Sequence, residues 1–138
     1  MNPVGSAARR GLKYTLHNDS PVVLMGLFKG YNTFLKGIYA AVNRKTITGR
    51  ILDDGSQKIS IYDALKGVTI NAAWQANEDG EKGSIEVGKV ADLIILNKNP
   101  LELEPEEIDT LNVEATIKKG NLVFGRYPSI GTKQIILN

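Results

Sequence analysis

Three residues of the types that carry acid–base or nucleophilic chemistry, His17, Asp19 and Ser20, fall in one short stretch, HNDSPV, at residues 17–22. A carboxylate beside an imidazole can move a proton, and a hydroxyl beside both can act as a nucleophile. The spacing argues against a serine–histidine–aspartate triad: Ser20 and His17 are too close along the chain to reach nucleophile–base geometry without a special turn. Metal chemistry is limited by composition. The chain holds one histidine and no cysteine, so a centre built from several imidazoles or from thiolates cannot be completed. His17 and Asp19 offer two donors where a hydrolytic metal takes about three or four ligands.

The elements that must position these residues are legible in outline. Leu12, Tyr14 and Leu16 alternate with Lys13, Thr15 and His17, which predicts a short strand over Leu12–His17 ending at the turn cluster Asn18–Pro21. Gly26, Gly30 and Gly37 break residues 23–37, so a loop feeding a helix is expected there, with Phe34, Ile38, Ala41 and Val42 at helical spacing. Residues 46–58 read as a polar loop with a turn at Asp54-Gly55. Ser60 and Asp63 form a shortened capping box, and Ile61, Ala64, Leu65, Val68 and Ala72 make one buried stripe. Gly67 in that helix marks close packing or a break, and the helix, in one piece or two, is expected to end near Asn77.

From Gly83 the pattern turns to β. A strand is expected over Asp92–Leu96, a proline-punctuated segment with at most one helical turn after Pro105, and a hairpin of Val113–Ile117 and Leu122–Phe124 around Lys119-Gly120-Asn121. QIIL near the end can add an edge strand. The organisation is therefore an α/β piece over 1–82, a β piece over 83–126 and a tail over 127–138. Trp74 and Tyr62 are expected as core or interface anchors, Asn71 as a partner of nearby backbone or a support for the site, Asp92 as structural, and Glu102–Glu107 as a solvated face.

Bulk properties narrow the function classes. Of 138 residues, 42% are hydrophobic and 23% charged, and mean hydropathy is -0.15, the composition of an ordinary globular domain. No apolar run approaches the roughly 18 residues of a membrane span, and no apolar core follows the N-terminal charges as in a secretory signal. The absence of cysteine fits a reducing, cytoplasmic setting. Net charge is +2, and the densest basic group is the trio Arg9, Arg10 and Lys13, too small for a nucleic-acid stripe.

GLKYTLHNDSPV, AVNRKT, ISIYDALKGVTINAAWQ, KGSIEVGKVADLIILNKNP and ATIKKGNLVF, in that order, resemble the C-terminal end of the amidohydrolase superfamily, in the branch of N-substituted formamide deformylase-like metal-dependent hydrolases. The resemblance covers residues 2–125 and implies a composite fold: the last strand and helices of a (β/α)₈ barrel, followed by part of a small β-sandwich. It implies that Asp19 stands at the end of the eighth barrel strand, where such barrels carry their chemistry, and serves as general base and then general acid in hydrolysis of an amide or formamide C–N bond. In the full-length family that chemistry uses a divalent metal, with zinc the first expectation. His17 and Ser20 are then candidate substrate contacts, or simply strand and turn residues. The family's His-x-His pair and later histidines come from strands that have no counterpart in this sequence. This chain is therefore expected to hold no metal and to be inactive alone. It would be a C-terminal fragment, a subunit of a split enzyme, or a non-catalytic binding module. Its partner is expected to be the missing barrel portion or a second copy of itself, joined through apolar helix faces left open. Calorimetric titration with zinc at neutral pH is expected to show no tight stoichiometric binding; stoichiometric uptake abolished by Asp19→Ala would contradict this.

Overall fold

A computed structural model describes residues 2–17, 33–46, 48–127 and 135–137. The first element, α1 (Val4–Arg9), was not legible in the sequence, because VGSAAR carries no apolar stripe. A distant side chain holds it instead. Gln57 accepts from the Ser6 N–H at 2.9 Å and donates to the Ser6 hydroxyl at 3.1 Å.

α2 (Thr33–Asn43) follows the expected helical spacing. Ile38, Ala41 and Val42 are buried as expected, and Leu35 is buried more deeply than Phe34. Arg44 closes the helix with φ 51°, and its guanidinium pairs with Asp53 in the following loop. That loop carries the isolated bridge Lys45↔Ile51 and a 3₁₀ turn at Asp53–Gly55, where the turn at Asp54-Gly55 was expected.

The expected helix after Ser60 is two helices, α3 (Ile61–Val68) and α4 (Ile70–Gln75). Ser60 caps α3 by accepting from the Asp63 N–H at 3.0 Å. The Asp63 carboxylate accepts from the Ser60 hydroxyl at 2.8 Å. A glutamate, with its longer stem, would instead reach the backbone N–H of the capping residue. Thr69 separates the helices at φ −120°, ψ −100°, and its hydroxyl donates to the Leu65 carbonyl at 2.8 Å. The break restarts the helical register. The buried alanine of α4 is therefore Ala73, not the Ala72 that a continuous stripe required.

The β piece forms one antiparallel sheet in the order β3-β2-β1-β4, from β1 (Leu93–Leu96), β2 (Val113–Lys118), β3 (Asn121–Gly125) and β4 (Ile135–Leu137). β2 and β3 are joined by Lys119-Gly120, with φ 48° and 79°, the left-handed pair that a two-residue hairpin needs. β4 is the edge strand expected near QIIL. Between β1 and β2 lie two 3₁₀ segments, Pro100–Glu102 and Pro105–Thr110, where one turn was expected. The second is stabilised by Glu107, which accepts from the Glu104 N–H at 3.0 Å. Glu102, Glu104, Glu106 and Glu107 are exposed.

One core joins helices and sheet. Val4, Ile38, Leu65, Leu96, Ile108 and Leu111 belong to the same buried cluster. This corrects the expectation of an open apolar stripe on α2. Ile38 and Val42 are covered within the chain, because α3 and the Pro105–Thr110 segment pack over that face. A second correction concerns Leu12–His17. These residues form no strand; among the described residues they pair with no strand and run beside α3 and α4. A third concerns the aromatic residues expected as core or interface anchors: Trp74 and Tyr62 are 46% and 60% exposed, each with a lysine ammonium over its ring, so the core alternative falls. Among the described residues no helix is long and apolar enough to cross a membrane.

Asp92 is structural, as expected, but the turn it orders is the hairpin's. Its carboxylate accepts from the Lys119 N–H at 2.8 Å and pairs with the Lys118 ammonium at 2.5 Å. The hydrogen bond from Lys118, then that from the Lys119 backbone, hold the Asp92 carboxyl below the ordinary range. A folded-state pKa below the unfolded value means that this support is complete above the ordinary aspartate range and is lost as pH falls through the folded value. Amide exchange at Lys119 and Gly120, corrected for the intrinsic rate, should therefore show protection falling on acidification below about pH 4. In Asp92→Asn that pH dependence should vanish.

Candidate functional site

The residues with chemical potential sit on or after the segment 12–17. Its path is set by contacts to three helices. The Leu12 N–H donates to the Ala7 carbonyl in α1 at 3.0 Å. The Lys13 ammonium lies 4.7 Å from the centre of the Trp74 ring, close enough for a cation–π attraction. The Tyr14 carbonyl accepts from the Asn71 side-chain amide at 3.0 Å. The Thr15 hydroxyl donates to Gln75 at 2.7 Å. The Leu16 N–H donates to the Gly67 carbonyl at 3.0 Å.

The side chains of Tyr14 and Leu16 pack against the core, so the expected alternation holds there; Leu12, placed on the same face by the pattern, is exposed. Gly67 explains how the segment lies so near α3. A Cβ at this position would sit 3.0 Å from Leu16 Cγ and 3.4 Å from Tyr14 Cε2. Of the two meanings a helical glycine offered, close packing applies at Gly67 itself, and the break comes at Thr69. The Tyr14 hydroxyl reaches the Asp63 carbonyl at 3.4 Å, and burial first, then the negative charge of Asp63, pushes its phenol above the usual tyrosine range.

His17 follows this tied-down run and is exposed. Asp19 and Ser20 lie outside the described residues. The described structure carries the chain as far as His17. Sequence reasoning missed the Thr15–Gln75 pair. The Thr15–Gln75 pair spans 60 residues, a separation that no local pattern encodes. Asn71 was foreseen as a partner of backbone, and that is its role. Among the described residues no three His, Cys, Asp or Glu side chains converge, so this part of the chain does not fit a hydrolytic metal.

The Amidohydrolase family model matches residues 1–124. With nine-tenths of its length inside that match, the chain belongs to the amidohydrolase family. It is 31% identical over 124 residues to an N-substituted formamide deformylase of Arthrobacter pascens, a match that covers 90% of this chain and 21% of that protein. A 5-methylthioadenosine/S-adenosylhomocysteine deaminase of Caldanaerobacter subterraneus subsp. tengcongensis is 30% identical over 75% of this chain and 22% of its own length. An imidazolonepropionase of Alkaliphilus metalliredigens is 34% identical over 51% of this chain and 17% of its own length. The chain thus spans about a fifth of the length of the relatives it matches. In fold, it is similar to the crystal structure of an amidohydrolase from Thermotoga maritima, with a TM-score of 0.60 at 22% identity, over 89% of this chain and 26% of that one.

Because His17 is exposed, its replacement touches no core. Urea unfolding of His17→Ala should fall within about 0.5 kcal/mol of the parent. A larger loss would show that the imidazole has a structural partner.

Proposed function

We propose that this chain is the C-terminal portion of a metal-dependent amidohydrolase that hydrolyses a non-peptide C–N bond in an amide or formamide. The observation that carries this reading is the family match over residues 1–124, joined to relatives whose names specify a deformylase and a deaminase. In this reading Asp19 takes a proton from the attacking water as the C–O bond forms at the carbonyl carbon. It then returns that proton to the departing nitrogen as the C–N bond breaks, which leaves a free amine and a carboxylic acid. An aspartate suits both steps, since one carboxylate can accept and return the same proton. The hydrolytic metal, with zinc the first choice, would be held by residues other than those described, and His17 and Ser20 would meet the substrate. The chain therefore needs the rest of a barrel, joined to it or supplied in trans, and it does no hydrolysis alone.

The test is complementation. The chain is mixed or co-expressed with a polypeptide carrying the His-x-His barrel strands of a family member, and hydrolysis of an N-substituted formamide is measured. Activity is expected only with both parts present. It should fall by about 10²–10⁴-fold in Asp19→Asn, the range for removal of a general acid–base. Undiminished activity in Asp19→Asn would refute the assignment, and hydrolysis by the chain alone would refute its dependence on other strands. Sedimentation of the chain by itself shows whether its partner is a second copy instead.

A further inference from the structure

The chain holds two Asp-Gly pairs, Asp54-Gly55 and Asp79-Gly80. At such a pair the glycine nitrogen can attack the aspartyl carboxyl, because no side chain on the glycine crowds the approach. The bond from nitrogen to Cγ forms, the amide proton and the carboxyl hydroxyl leave as water, and a succinimide ring closes. Water then reopens the ring at either carbonyl. Attack at Cγ restores aspartate. Attack at the main-chain carbonyl leaves isoaspartate, whose backbone runs through the side chain and whose main-chain carboxyl is free. One water leaves and one returns, so no other reactant is needed.

The two pairs are held differently. The Gly55 N–H donates to the Leu52 carbonyl at 2.9 Å beside the 3₁₀ turn, a bond that must break before its nitrogen can attack. Gly80 is exposed, and its N–H meets no acceptor among the described residues. Even a Cβ there would touch nothing within 4 Å, so the turn has room to rearrange. The Asp79 carbonyl is engaged instead. The Lys89 ammonium donates to it at 2.7 Å and to the Ser84 hydroxyl at 2.6 Å, with the Glu86 carboxylate 3.4 Å away. The Lys89 side chain is only 12% exposed, so its charge is fixed in place. A fixed cation on a carbonyl oxygen favours negative charge there. It acts on both steps. Charge left on the peptide unit when the Gly80 nitrogen loses its proton is shared with that oxygen. In the ring, the same oxygen takes the charge when water attacks the main-chain carbonyl, the route to isoaspartate. The freed carboxylate of the product then faces the ammonium as an ion pair.

We propose that Asp79 is a site of spontaneous isomerisation to isoaspartate, directed by the Lys89 ammonium, and that Asp54 is protected from it. Prolonged incubation at mildly acidic pH in water enriched in heavy oxygen labels every ring that reopens. Peptide mapping with fragmentation then separates isoaspartate from aspartate at each site. In the folded chain, labelled product should accumulate at residue 79 about tenfold faster than at residue 54, the worth of roughly one hydrogen bond at Gly55. In urea the two rates should converge. The ratio of labelled isoaspartate to labelled aspartate at residue 79 should be higher in the folded chain than in urea. Lys89→Met, with its Leu96 amide still protected from exchange, should bring that ratio down to the urea value. Equal rates at the two sites in the folded chain would overturn the proposal. So would a ratio at residue 79 that neither folding nor Lys89→Met changes. The comparison of sites and of folded with unfolded chain uses the parent sequence, so it decides the matter even where Lys89→Met does not fold.

Discussion

Ile38 of α2, Leu96 of β1 and Ile108 of the Pro105–Thr110 segment are each at most 1% exposed and share one cluster, and the rest of the architecture hangs on that meeting. Full burial of a side chain of this size stabilises by about 1.5–3 kcal/mol. These three come from three parts of the chain, so their contact binds the helical and β pieces into one body. Without it α2 would carry an uncovered apolar stripe, and α3, packed against α2, would lose the surface that sets its position. The polar ties of the 12–17 segment depend on α3 and α4 in turn. Apolar burial fixes where the helices stand, and hydrogen bonds then fix what runs across them.

The 12–17 segment shows how backbone demands are met outside a sheet. Each N–H and C=O removed from water needs a partner. A strand would meet that need by pairing on both edges; here a helix-end carbonyl and an asparagine amide meet it from one side. Gly67 makes the close approach sterically possible, since a methyl group there would press on Leu16. The local pattern and the local structure therefore part company for a physical reason. Alternation specifies which side chains point inward, and only the neighbours decide whether the backbone joins a ladder.

The same reasoning marks where the sequence was legible. α2, the Ser60 start of α3, β1, the β2–β3 hairpin and the edge strand β4 all follow from periodicity, capping or turn chemistry within a few residues. What escaped depended on distance along the chain. α1 rests on Gln57 across 51 residues. Residue type left Trp74 and Tyr62 open between core and interface; each lies at the surface with a lysine over its face. For the site, residue types pointed to His17, Asp19 and Ser20 and flagged Asn71 and Gly67, while the Thr15–Gln75 tie became visible only with the helices in place.

Trp74 is the single tryptophan of the chain, and the ammonium above it belongs to Lys13, on the same segment that leads to His17. Excitation shifts electron density across an indole ring, and a positive charge fixed over one face changes the energy of that shift. The intrinsic fluorescence of this protein is thus an optical gauge of whether residues 12–16 lie in place against α4. It can be read without a label, and it is free of any other indole signal.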